Sequence, residues 1–242
     1  MMKISDNIEF IIDGFPDGYV FTYMDFKLPS DKREAVIKSL NRLAISGRIT
    51  KLSKGKYYKP EKSVFGELPP SQYQIVKDLI EKNGQPIGYI SGYGAYNELG
   101  LTTQVPNVIQ IGKNEVREPL QRGIYKISFI RQKNNITEKN IPLLKILDAI
   151  RFIKEIPDTT IDKACERLLF IIKNLENKQL ESIKELVMKY PPATRALLGA
   201  FVEKLMGDDC AEQLYSSLNP ITSYKLFVSD AILPNAKKWN IK

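Results

Sequence analysis

The chain has 242 residues, 43% of them apolar and 26% charged, with a net charge of +8. At about 150 residues per domain, that length suits one large domain or two to three small ones, and the composition excludes a chain that is disordered throughout, collagen-like or membrane-embedded. The chain contains no histidine, which removes Ser/His and Cys/His nucleophile pairs and every His-containing zinc or iron site.

With only two cysteines and no D-x-D-x-D-G loop, neither a metal nor a cofactor is expected. No stretch approaches about 18 uninterrupted apolar residues, and MMKISDNIEF carries charges where a leader needs its apolar segment. A cytoplasmic protein without membrane attachment is the expectation. Cys165 and Cys210 fall in helical sequence and read as buried thiols rather than a disulfide.

Charge is unevenly distributed. Residues 27–62 hold 11 Lys and Arg against 3 Asp and Glu, an excess equal to that of the whole chain, so the other 206 residues carry 25 of each sign. A basic character confined to one short segment points to a polyanion partner.

In chain order, Ile8, Ile11 and Ile12 give a helix over 5–13, which GFPDG ends. Phe21-Thr22 leads into the short stretch YMDF, and Ser30 is placed to cap a helix in DKREAVIKSLNRLAISG whose apolar face is Val36, Leu40, Leu43 and Ala44. Gly47 stops that helix, and RITKLS and KYYKP read as two strands about a Lys54-Gly55 turn.

Helix, helix, helix, hairpin in about 60 residues, with a basic third helix and a basic hairpin, predicts a winged helix-turn-helix over 1–62. Lys38, Asn41 and Arg42 lie off the apolar stripe, and Lys32 and Arg33 occupy the first turn. Phosphates demand cations, and base edges in the major groove demand Arg, Lys or Asn forks, which makes Asn41 and Arg42 the base-reading candidates. Lys51, Lys54, Lys56 and Lys59 on the hairpin are placed for phosphate or the minor groove. The alternative is a solvated lysine-rich hairpin that blunts an exposed sheet edge.

Gly66 and Pro69-Pro70 mark a linker. A helix in SQYQIVKDLIEKNG, the segment PIGYISGYGAYNELGLTTQVPN and the strand-like VIQIG and GIYKISFI then predict a small mixed α/β domain over 66–135, closed by RQKNN. Gly88, Gly92 and Gly94 match neither the dinucleotide fingerprint nor the P-loop and read as packing or turn glycines. Tyr89, Tyr93 and Tyr96 have no assigned role. From 141 to 242 a helical bundle is expected, with helices at 142–156, 158–175, 177–190, 193–206 and near 209–218, punctuated by Pro157 and Pro191-Pro192. The overall class is therefore α+β.

No catalytic constellation emerges, and the protein is not expected to be an enzyme. Pro157-Asp158 and Glu176-Asn177-Lys178 carry the letters of a magnesium nuclease, but they flank one predicted helix about 26 Å long, whereas that chemistry needs strands that bring carboxylates together. Ser53-Lys54 and Lys62-Ser63 are adjacent residues that point to opposite faces of a strand, so neither forms a nucleophile–base pair.

The segments YVFTYMDF, LNRLAISGRI, KGKYYKP, AYNELGLTTQVP and YPPATRALLGA, in this order, resemble the AbiEi-type antitoxins of type IV toxin-antitoxin systems over nearly the whole chain. The resemblance implies an N-terminal winged helix that represses its own promoter on double-stranded DNA. It also implies that the protein counteracts a cognate nucleotidyltransferase-like toxin without a stable complex, as part of phage defence. It places DNA contacts on Arg42, Arg48, Lys51, Lys54 and Lys56. Arg195 matches a recurrent arginine without a defined role; pairing with a carboxylate or capping a helix end would explain it. The part from 141 onward resembles the longer members and aligns poorly with the shorter ones. A plain operon repressor or a protein-interaction module of a defence locus remains the alternative, and a homodimer would place two winged helices on inverted half-sites.

Overall fold

The computed structural model describes residues 4–64 and 66–242; residues 1–3, where the leader reading begins, and Phe65 lie outside. The protein is a mixed α+β fold with open sheets and a run of C-terminal helices. It divides into two compact units, one reaching to Leu79 and taking in Leu120–Lys126, the other formed by Ile80–Pro119 and Ile127–Lys242. The sequence reading instead divides the chain into three segments at a linker and at residue 141, because local composition cannot reveal that a hairpin near residue 120 packs with residues before 80.

In the first unit, α1 (Ile4–Asp13) buries Ile8 and Ile12, and β1 (Val20–Phe21) follows the turn. A 3-10 turn over Tyr23–Phe26 is held by a capping box in which Asp25 accepts from the Thr22 amide at 2.7 Å and Thr22 Oγ1 accepts from the Met24 amide at 3.2 Å. α2 (Arg33–Ile45) buries Val36, Leu40 and Leu43, the expected stripe. Ser30 is not its cap. Pro29, at φ −55°, is preset for helix entry and its carbonyl accepts the Lys32 amide, so Ser30 lies inside a preceding 3-10 turn, Ser30–Lys32, with no capping bond.

Gly47 ends α2 at φ +75°, and β2 (Thr50–Ser53) and β3 (Lys56–Tyr58) form the expected hairpin about Gly55, which takes φ +74°. The three strands run antiparallel in the order β1-β3-β2, with Phe21 opposite Tyr57. Phe21, Phe26, Tyr57 and the buried isoleucines of α1 share one core with Leu40 and Ile49. Each such buried side chain contributes about 1.5–3 kcal/mol.

The expected linker holds a second hairpin, β4 (Glu61–Ser63) and β5 (Gly66–Leu68). α3 (Gln72–Ile80) follows.

In the second unit, β6 (Glu81–Lys82) and β7 (Gln85–Pro86) make a short ribbon. β8 (Gly88–Ser91) leads into α4 (Gly92–Glu98) and pairs antiparallel with β9 (Val108–Lys113). β10 (Leu120–Arg122), which belongs to the first unit, turns at Gly123 into β11 (Tyr125–Arg131), whose continuation from Ile127 belongs to the second and gives the strand order β11-β9-β8 there. Gly88 and Gly92 are packing and turn glycines: a Cβ at Gly88 would stand 3.2 Å from the Gly112 carbonyl, and Gly92 has φ +55° with Gln110 Oε1 2.7 Å from where its Cβ would be.

Helices α5 (Ile141–Arg151), α6 (Ile161–Lys173), α7 (Asn177–Val187) and α8 (Pro192–Met206) pack around one core, with the short α9 (Glu212–Ser216) beyond. α8 is buried along Ala196–Val202. The irregular C-terminal stretch covers it, and Trp239 fits against Gly199, where any Cβ would overlap the indole. Among the described residues no helix is long and apolar enough to cross a membrane. Cys165 is buried and Cys210 is exposed, both as free thiols, so only the first is the buried thiol expected.

Candidate nucleic-acid interface

α2 positions the first group of predicted contacts. With Val36, Leu40 and Leu43 turned inward, Lys38, Asn41 and Arg42 emerge together on the outer face, all exposed. Arg42 stands 3.8 Å from Glu9 with its side chain 64% exposed, a pairing weak enough to exchange for another anion. Asn41 Oδ1 accepts a 2.8 Å hydrogen bond from the Tyr57 hydroxyl. Half of the Asn41 fork is thus engaged, which holds the side chain at the junction of helix and hairpin and leaves its amide N–H groups as donors. Burial raises the Tyr57 pKa, so the hydroxyl remains a donor.

The first-turn cations differ in freedom. The Arg33 guanidinium lies over the Tyr23 ring at 4.4 Å, while Lys32 faces its neighbour Asp31 at 3.3 Å, both well exposed.

The hairpin separates into two classes. Lys51 and Lys54 are exposed and, among the described residues, make no ion pair, as is true of Lys38 on the helix. Arg48, Lys56 and Lys59 are committed within the unit. Arg48 holds both Asp13 oxygens at 2.8 and 2.9 Å. Lys59 donates to the carbonyls of Asp13 and Phe15 at 3.2 and 3.1 Å and pairs with Asp17 at 3.2 Å. Lys56, its side chain 19% exposed, sits 3.1 Å from Asp78. Asp78 is also gripped at 2.6 and 2.8 Å by Arg122, which donates to the Ile75 carbonyl as well. Burial would raise the Asp78 carboxyl, but Arg122 and Lys56 outweigh it and hold it below the usual carboxylate range. These three cations tie the loops around the hairpin together, a role that charge counting cannot distinguish from ligand binding.

The second unit holds a polar cluster that sequence reading missed. Asp148, on α5 and almost wholly buried, accepts from the Tyr89 and Ser91 hydroxyls at 2.7 Å each and from the Tyr190 hydroxyl at 2.9 Å. Gln132 donates to both tyrosine oxygens at 2.9 and 2.8 Å and accepts from Asn134. Desolvation pushes the Asp148 pKa up, against the three hydroxyl donors and Arg151. Tyr89 thereby gains a place, and Tyr96 is buried in the same core.

Arg195 Nη1 donates at 2.9 Å to the carbonyl of Ser217, at the end of α9, a helix-capping contact. Asp158 and Glu176 lie at opposite ends of α6, and Asp158 accepts from Gln104. Among the described residues no group of three or more His, Cys, Asp or Glu side chains is arranged to hold a metal ion.

The Rv2827c protein from Mycobacterium tuberculosis shares this fold in its crystal structure, with a TM-score of 0.56 at 10% identity, over 89% of this chain and 81% of that one. At that identity the likeness speaks for the fold alone. No curated protein matches the sequence. The family model of DUF6088, a family of unknown function, matches residues 7–183, most of the chain, and the protein accordingly belongs to the DUF6088 family.

Proposed function

We propose that the first unit is a winged helix-turn-helix that binds double-stranded DNA, and that the protein represses its own promoter as an AbiEi-like, type IV antitoxin. The observation that carries this reading is the placement of the available cations: Lys38 and the weakly paired Arg42 on the outer face of α2, and Lys51 and Lys54 on the hairpin that follows it. In this reading α2 lies in the major groove with Arg42 and the Asn41 amide at base edges, Lys32, Arg33 and Lys38 approach phosphates, and the β2–β3 hairpin is the wing that tracks the backbone.

Arg48, Lys56 and Lys59 shape the wing and contribute through position rather than contact. The antitoxin acts in the cytoplasm without catalysis, metal or cofactor. It opposes a nucleotidyltransferase-like toxin encoded alongside without a stable complex, and a homodimer sets two units on inverted half-sites.

Binding of the full chain to its own upstream DNA and to scrambled DNA, measured across a salt series, tests the first half. The wild type is expected to prefer the upstream sequence with a steep salt dependence. Lys38→Ala/Arg42→Ala/Lys54→Ala should abolish that preference through the loss of Arg42 at the bases, and flatten the log–log slope by about 0.9 for each phosphate that Lys38 and Lys54 no longer neutralise, about two units in all. Equal binding to both DNAs, or an unchanged slope in the variant, overturns the DNA reading. Co-expression with the neighbouring gene product tests the second half: failure to relieve toxicity leaves a plain operon repressor.

A further inference from the structure

Outside residues 27–62 the chain carries as many acidic as basic residues, so a concavity whose charged lining residues are all cations stands out against that background. One exists in the second unit. A cavity of about 410 Å³ is bordered by Arg131, Lys133, Arg151 and Lys189 and floored by Gln132 and Tyr190, and none of its lining residues is acidic. All four cations are exposed, and among the described residues none of them forms an ion pair. Asp148, beneath the floor, acts on Arg151 alone among the four, and the repulsion among these like charges is relieved when an anion enters.

The floor is already built. Gln132 is 4% exposed and Tyr190 6%, and both are locked by the Asp148 cluster: Tyr190 donates to Asp148 and accepts from Gln132, whose carbonyl oxygen accepts from Asn134. A site whose polar floor is fixed before the ligand arrives loses little freedom on binding. The wall at Pro191–Pro192 is the start of α8, a 15-residue helix, whose positive dipole end adds to the four side chains.

From this we infer that the cavity is a binding site for an oligophosphate group, carried by a nucleoside triphosphate or free as inorganic polyphosphate. The volume lies within the range of small-molecule pockets, about 300–1,000 Å³. A terminal phosphate bears about two negative charges, and each further phosphate in the chain adds another, so two or three linked phosphates approach the four positive charges present. A concave site encloses such a molecule, whereas a nucleic-acid backbone tracks along an extended basic surface. None of its residues is among the DNA contacts proposed on α2 and the hairpin.

Isothermal titration of the full chain with tripolyphosphate, ATP, inorganic phosphate and a single-stranded oligonucleotide tests it, using wild type, Arg131→Gln/Lys133→Gln, Lys189→Gln and, as a control, Lys38→Gln/Arg42→Gln. Tripolyphosphate or ATP is expected to bind with a Kd below about 1 mM, about tenfold weaker in each cavity variant and unchanged in the control. Equal affinity for the two assigns the phosphates as the whole determinant, and tighter binding of ATP assigns a nucleotide; both support the site. Because the substituted side chains are exposed, Trp239 emission serves to show that the second unit remains folded. No binding of either probe, equal loss in the control, or binding of the oligonucleotide alone overturns the inference.

Discussion

Asp148 offers the sharpest test of how the second unit is held together. Replacing it with Ala removes the acceptor of three hydroxyl donors, those of Tyr89, Ser91 and Tyr190, in a site that is 1% exposed. Each stranded donor costs about 1–3 kcal/mol. Relief of the buried charge offsets part of that sum, and a net loss of about 3–5 kcal/mol is expected. Asp148→Asn keeps one oxygen for Tyr89 and Ser91 and turns an amide toward Tyr190, whose oxygen can accept from it while its proton turns to the Leu144 carbonyl 3.5 Å away; about 1–2 kcal/mol is expected.

The pH dependence carries an independent signature. Burial raises the Asp148 pKa in the folded state, so the folded protein holds this proton more tightly than the unfolded chain does. The carboxylate's contribution to stability therefore falls as pH rises from about 4, the unfolded value, toward the raised folded value, and is constant below and above that window. Asp148→Asn should abolish this component. The assay is urea unfolding followed by the emission of the single tryptophan, Trp239, which is buried in the second unit and reports on it alone. An Asp148→Ala variant within about 0.5 kcal/mol of wild type, or an Asn variant as unstable as the Ala one, would refute the reasoning.

Two further outcomes can be checked in the same protein. Arg122→Ala removes three hydrogen bonds from a guanidinium that is 7% exposed and leaves half-exposed Asp78 with Lys56 alone; a loss of about 2 kcal/mol in the first unit is expected, read as faster amide exchange in α3. Its Asp78 carboxyl, held low in the folded protein, gives stability present above about pH 4 and lost on acidification, a dependence that the variant should lose in part; exchange rates equal to wild type would count against the pairing. With an aromatic disulfide reagent at pH 8, Cys210 should react in the native protein, whereas Cys165, buried and with its thiol pushed up to about 12 by desolvation and then by Asp162, should react only on unfolding. Two thiols titrating at native rates would contradict the packing of α6.

Much of the chain was readable locally. The stripe of Val36, Leu40 and Leu43, the stops at Gly47 and Gly55 and the periodic leucines of α5 and α6 each encode a short-range preference that packing then reinforced. The two-residue β1, by contrast, has no period to detect, and the β4–β5 hairpin is nearly all polar. The Asp148 cluster joins residues 42 to 59 positions apart along the chain, so no window of sequence contains it.

By itself the sequence determined that positive charge gathers between residues 27 and 62, that an amphipathic helix and a turn present it, and that helices follow from about residue 141. Only the tertiary structure decided which of those cations are available. Asp13, Asp17 and Asp78 occupy Arg48, Lys59 and Lys56 across 22 to 42 residues of chain, while Lys38, Lys51 and Lys54 stay uncommitted. Only it placed Arg131, Lys133, Arg151 and Lys189 around one cavity. The physical reason is the same in both cases. Composition counts charges, but the Coulomb energy of a charge depends on its distance to the nearest opposite one and on the water between them, and folding sets both.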